Sequence, residues 1–141
     1  MLALYVAIDD PARDFTTNLA LISDTSEDPT LRTREYEMSA RELADAVEQA
    51  ARRIKNWEYI GTAGVDGKTT IVFERTSRVW KLKDDVILRV EETGGRSRLT
   101  GESRSRLDYG DLGQNPRNLR RILTELDSVL NLTSQTRPAS N

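Results

Sequence analysis

The chain contains no cysteine and no histidine. The first absence excludes disulfides, thiolate metal sites and cysteine nucleophiles. The second removes the commonest general base, the commonest zinc ligand and the usual switch near neutral pH, and any Ser-His-Asp hydrolase with them. Long apolar runs are missing too: no segment reaches the roughly 18 apolar residues that a membrane-spanning helix needs. Residues 1–8 are apolar, but they lack a basic start and run into Asp9 and Asp10, so they read as a strand or docking segment rather than a secretion leader. The formal net charge is only −2. No global field therefore draws the chain to nucleic acid or acidic membranes, and any such binding needs a local patch. A cytoplasmic location is the expectation.

What is present suits one domain with polar ends: 141 residues, 37% hydrophobic and 31% charged. The charge is unevenly spread. Residues 1–30 hold Asp9, Asp10, Asp14, Asp24, Glu27 and Asp28 against the single cation Arg13, whereas residues 96–121 hold seven arginines against Glu102, Asp108 and Asp111. This asymmetry suggests a contact between arm and patch, within the chain or between copies. The expected division is an acidic arm over 1–30, one folded domain over 31–132 and a polar tail over 133–141.

Residues 31–38 alternate as a strand. Ser39 then caps a helix with Glu42 completing the box, and Leu43, Val47, Ala50 and Ile54 form its apolar stripe. A strand over 57–63 follows. Asp66-Gly67 is a strong hairpin signal leading to a strand over 68–75. Residues 78–82 continue or restart a strand, Lys83-Asp84-Asp85 reads as a turn, and 86–92 alternate again. Thr93-Gly94-Gly95 turns into a last strand over 96–107. Asn115 is placed to cap a second helix with Pro116 at its first position. Leu119, Ile122, Leu123, Leu126, Val129 and Leu130 mark that helix's broad apolar face. The expected fold is α+β, in the order β-α-β-β-β-β-α: an antiparallel sheet of about five strands with two packed amphipathic helices. Such a sheet can stay flat or curve around the last helix in a helix-grip arrangement.

Three stretches carry a family resemblance: Asp84-Asp85-Val86-Ile87-Leu88-Arg89-Val90, Ser103-Arg104-Ser105-Arg106 and Asp111-Leu112-Gly113-Gln114-Asn115. Together with Asp28-Pro29 and the capped first helix, they resemble the bacterial and plastid family known as domain of unknown function 1499, over roughly residues 20–132. Family members often carry glycine where Asp108 stands, serine where Gly110 stands and arginine where Asn118 stands. The resemblance implies the fold and brings no established activity with it.

The last strand is the most unusual feature. Arg96, Arg98, Arg104 and Arg106 share one parity, which sets four guanidiniums on one sheet face. With Arg89 and Asn115 they are the candidate ligand-binding residues, suited to phosphate or carboxylate. The competing use is a solvated face with Arg89, Glu91 and Glu102 in cross-strand pairs. The small residues of opposite parity would let a helix approach closely. Asp84 and Asp85, as neighbours, point to opposite faces and are better suited to capping than to paired-carboxylate catalysis. Asp108, Asp111 and Asn115 precede a helix start, where capping competes with a magnesium or calcium site that matches no known loop spacing. Gly61, Gly64 and Gly67 sit in a hairpin rather than between a strand and a helix, which disfavours a phosphate loop. Trp57, Tyr59, Phe73 and Trp80 are core or pocket candidates.

The reading that follows is a non-catalytic binding or assembly module for an acidic or phosphate-bearing partner, using the arginine strand. No cofactor and no catalytic residue is expected, and nucleic acid is disfavoured because the aromatics lie away from the basic patch. The rival readings are a carrier of a small amphipathic ligand, with a cavity lined by Trp57, Ile71, Phe73 and Leu123, and a carboxylate- or metal-dependent enzyme holding a metal at Asp108 and Asp111.

Overall fold

The computed structural model describes residues 19–106 and 113–136, with side chains to residue 132. The strands are β1 (Leu19–Ile22), β2 (Arg34–Tyr36), β3 (Trp57–Val65), β4 (Lys68–Thr76), β5 (Lys83–Thr93) and β6 (Arg96–Ser105). The helices are α1 (Ala40–Arg52) and α2 (Gln114–Thr136), and a short 3₁₀ turn covers Pro29–Leu31. All strand pairs are antiparallel, and the sheet runs β1-β6-β5-β4-β3. β2 also pairs with β6, further along: β1 covers Gly101 to Arg104 and β2 covers Ser97 to Leu99. One edge of the sheet is thus built from two short pieces. β1 is the strand beyond the five expected, and it falls within the stretch read as an acidic arm.

Both helices lie on one face, giving two layers around one core. α1 starts where Ser39 Oγ accepts the Glu42 amide at 3.1 Å. It buries Leu43, Val47 and Ala50 against α2 and strands β3 to β5. α2 buries Leu119, Ile122, Leu123 and Leu126, and lies over β6 and β1. The sheet supplies Ile71, Phe73, Val86, Leu88, Val90 and Leu99 from alternate positions. Asp66 and Gly67 make the β3–β4 turn with φ of 48° and 77°, as the Asp-Gly signal requires.

Three local expectations are corrected. Residues 78–82 are not strand but the loop joining β4 to β5, because Ser77 and Leu82 close it: Ser77 N donates to Leu82 O at 2.8 Å and Leu82 N to Ser77 Oγ at 2.9 Å. Lys83-Asp84-Asp85 is not a turn but the first part of β5, where cross-strand partners satisfy both aspartates. Asn115 is not the helix cap. α2 already begins at Gln114, after Gly113 at φ 80°, and Asn115 lies within the first turn with its side chain buried. Pro116 still sits where its missing N–H has no helical partner to lose.

A polar knot and a neutralised arginine face

Asp84 lies on the helix-facing side of β5, in line with Val86, Leu88 and Val90, and is only 4% exposed. A carboxylate on that face needs donors, and three reach it. Ser105 Oγ donates to Oδ1 at 2.9 Å; Asn118 Nδ2 at 2.9 Å and Arg75 Nη1 at 3.2 Å donate to Oδ2. The partners are themselves tied. Asn118 Nδ2 also reaches Ser103 Oγ at 3.1 Å, and Ser103 Oγ donates to Asn115 Oδ1 at 2.7 Å. Asn115 Nδ2 returns to Ser105 Oγ at 3.0 Å, and Gln114 Nε2 donates to Asn118 Oδ1 at 2.7 Å. Ser103, Asn115 and Asn118 are buried. This knot fixes the first turn of α2 onto the ends of β4, β5 and β6.

The six candidate ligand residues separate in space. Asn115 belongs to the knot. The arginines lie on the opposite, outer face of the sheet, and at about 3.4 Å per residue the row from Arg96 to Arg106 stretches over roughly 30 Å, too long for one small anion. Carboxylates from other elements meet most of the row. Arg89 Nη2 reaches Glu102 Oε1 at 2.6 Å, Arg98 Nη2 reaches Asp24 at 2.7 Å, and Arg96 lies 3.6 Å from Glu35. Arg106 is held by Asp85 through two contacts, at 2.7 and 3.0 Å, and by Glu74 at 2.7 Å. The hydrogen bond from Lys83, followed by that from Arg106, holds the Glu74 carboxyl below its ordinary range despite partial desolvation. Arg104 stands in register between Leu19 of β1 and Asp85 of β5.

Among the described residues of the acidic stretch, Asp24 binds Arg98, and Asp28 binds Arg120 at 2.6 Å. Glu102 is unusual. It lies in the outer-face row Leu21, Glu102, Ile87, Val72, is 2% exposed, and its Oε2 has no hydrogen-bond partner.

Two further surfaces stand out. An open groove of about 700 Å³ runs between α1, α2 and β2, with Met38, Ala46, Val129 and Leu130 among its lining and Glu37, Glu42, Asp45 and Asp127 as its acidic members. Of the expected cavity residues, Ile71, Phe73 and Leu123 are instead packed in the core. Trp57 packs against that core, its ring 5.9 Å from that of Phe73. The second surface is the β4–β5 loop, where Val79 and Trp80 are 78% and 79% exposed. Trp80, a core or pocket candidate by composition, is neither.

Among the described residues, no three carboxylates gather as a metal site, and no helix is long and apolar enough to cross a membrane. Asp108 and Asp111 lie outside the described residues.

The sequence reading missed the knot. Its signal was parity: Asp84 shares a face with Val86 and Leu88, and Ser103 and Ser105 share one with Leu99.

A family profile matches residues 9–126 and settles the relationship. The chain belongs to the DUF1499 family, described as proteins of unknown function. The stretches on which the resemblance was read supply Asp84, Ser103, Ser105 and Asn115 to the knot. No curated relative matches the chain. Among solved structures, the crystal structure of TTHA0849 from Thermus thermophilus is similar over 72% of this chain and 96% of its own, at 11% identity and a TM-score of 0.36. A likeness that loose carries no argument about fold or function.

Proposed function

We propose that the chain is a non-catalytic binding module that recognises an anionic, phosphate- or carboxylate-bearing partner at the strand end where β6 finishes and the β4–β5 loop begins. The observation carrying this reading is the state of the cations there. Among the described residues, Arg78 and Lys81 have no carboxylate partner. Next to them, Arg106, whose backbone N–H donates to Lys83 O, keeps a 40% exposed side chain despite its two carboxylates. Guanidinium groups held this way retain donors for a further oxyanion. Arg104 is the neighbouring outer-face arginine of β6, and Arg89, Arg96 and Arg98 lie further along the sheet. The knot supports the non-catalytic part, because the hydrogen bonds already made to Asp84 suit positioning better than proton transfer.

The test is retention on phosphocellulose at low salt. A chain of net charge −2 should flow through unless a local patch holds it. We expect retention, with earlier elution for Arg104→Gln/Arg106→Gln and for Arg78→Gln/Lys81→Gln. Flow-through of the unmodified chain would remove the reading.

The groove favours a second reading, a carrier of a small cationic amphipathic ligand, since apolar lining and acidic members occur together at a volume usual for ligand sites. Native mass spectrometry should then show excess mass that is lost on denaturation. A bare chain mass from cell-purified protein counts against it.

A further inference from the structure

We infer that the hairpin tip Arg78-Val79-Trp80-Lys81 is a membrane-docking finger that seats on an anionic lipid surface, an inference that rests on the anion-binding reading of this strand end. The tip joins β4 and β5, both interior strands of the sheet, and its ends are clamped by the paired contacts between Ser77 and Leu82. It is a short, braced projection. At its apex two adjacent apolar side chains, Val79 and Trp80, stand almost wholly in solvent. Nothing in the fold requires this, since neither belongs to the core. A cation stands on each side of them, and Lys81 adopts a left-handed φ of 56°.

The chemistry matches the lipid interface. An indole prefers the headgroup level, where its ring is buried and its N–H stays wet. Arginine and lysine beside it are drawn by anionic headgroups. The neighbouring carboxylates do not oppose this, because Asp84 is bound by Arg75, Glu74 by Lys83 and Arg106, and Asp85 by Arg106. A protein partner is the weaker match. A stable protein interface takes on the order of 800 Å² from each side, and an isolated pair of apolar residues between two cations offers much less. Docking by one tip is reversible and weakens as salt rises.

The experiment uses the full chain with phosphatidylcholine vesicles, with and without phosphatidylglycerol, at low salt, read by co-sedimentation and tryptophan emission. We expect binding and a blue shift only with phosphatidylglycerol. Trp80→Ala should abolish the shift and weaken binding, and Arg78→Gln/Lys81→Gln should weaken binding roughly tenfold or more. Both variants should keep the wild-type melting temperature, since the side chains are exposed. Trp57, packed on Phe73, remains as an internal reference. The inference is overturned if the chain does not sediment with anionic vesicles, or if Trp80→Ala binds them as well as wild type. Retention on phosphocellulose without vesicle binding would overturn the membrane inference alone; failure of both would remove the anion reading as well.

Discussion

Asp84 shows how one side chain can be misread from its neighbours. Two adjacent aspartates after a lysine look like a turn, because aspartate favours turns when its carboxylate can reach nearby backbone. Here Arg75 of β4, Ser105 of β6 and Asn118 of α2 reach it instead, and a residue that would punctuate the chain becomes part of a strand. Removing it would leave the Arg75 guanidinium and the Asn118 amide without their acceptor. Asp84→Ala is therefore expected to cost about 3–5 kcal/mol in denaturant unfolding. A loss below about 1 kcal/mol would mean that the knot does not hold α2 in place. Gly101 is constrained differently: a Cβ there would come within 2.6 Å of Leu88 and 2.8 Å of the Ile87 carbonyl. The small residue serves strand-to-strand approach, not only the helix that its parity suggested.

At the scale of elements, signals carried by adjacent residues were legible. Ser39 starts α1, Asp66-Gly67 turns β3 into β4, and the six apolar positions from Leu119 to Leu130 define the inner face of α2. Signals needing a distant partner were not. Val79 and Trp80 look like strand residues until Ser77 and Leu82 close a loop around them. The arginine parity on β6 was visible, as was the Arg89–Glu102 cross-strand pair, but the neutralisation of Arg98, Arg96 and Arg106 by Asp24, Glu35, Glu74 and Asp85 depends on pairings that local pattern does not encode. The 3₁₀ turn gives a measurable consequence. Hydrogen bonds from Thr30 and then Arg120 hold the Asp28 carboxyl at about 2, below its ordinary 3.8. A lowered acid pKa contributes stability above the ordinary value and loses it as pH falls through the folded one. Asp28→Asn should thus lower the melting temperature at neutral pH, and the gap to wild type should close between pH 3.8 and about 2. A gap that does not change with pH would place the effect elsewhere.

Across the whole molecule, the two sheet edges are treated differently. β3 is an edge strand interrupted by an irregularity between Tyr59 and Gly61, a feature that discourages further strands from adding there. The opposite edge is covered by β1 and β2, which pair with β6. The first strand of the described residues is thus the partner of the last: Ala20 pairs with Ser103. On a ribosome adding roughly 5–20 residues per second, Leu19–Ile22 leaves the exit tunnel seconds before the strand it needs has been made. During that interval the apolar segment has no native neighbour, and the sheet is completed only when synthesis of β6 ends the wait.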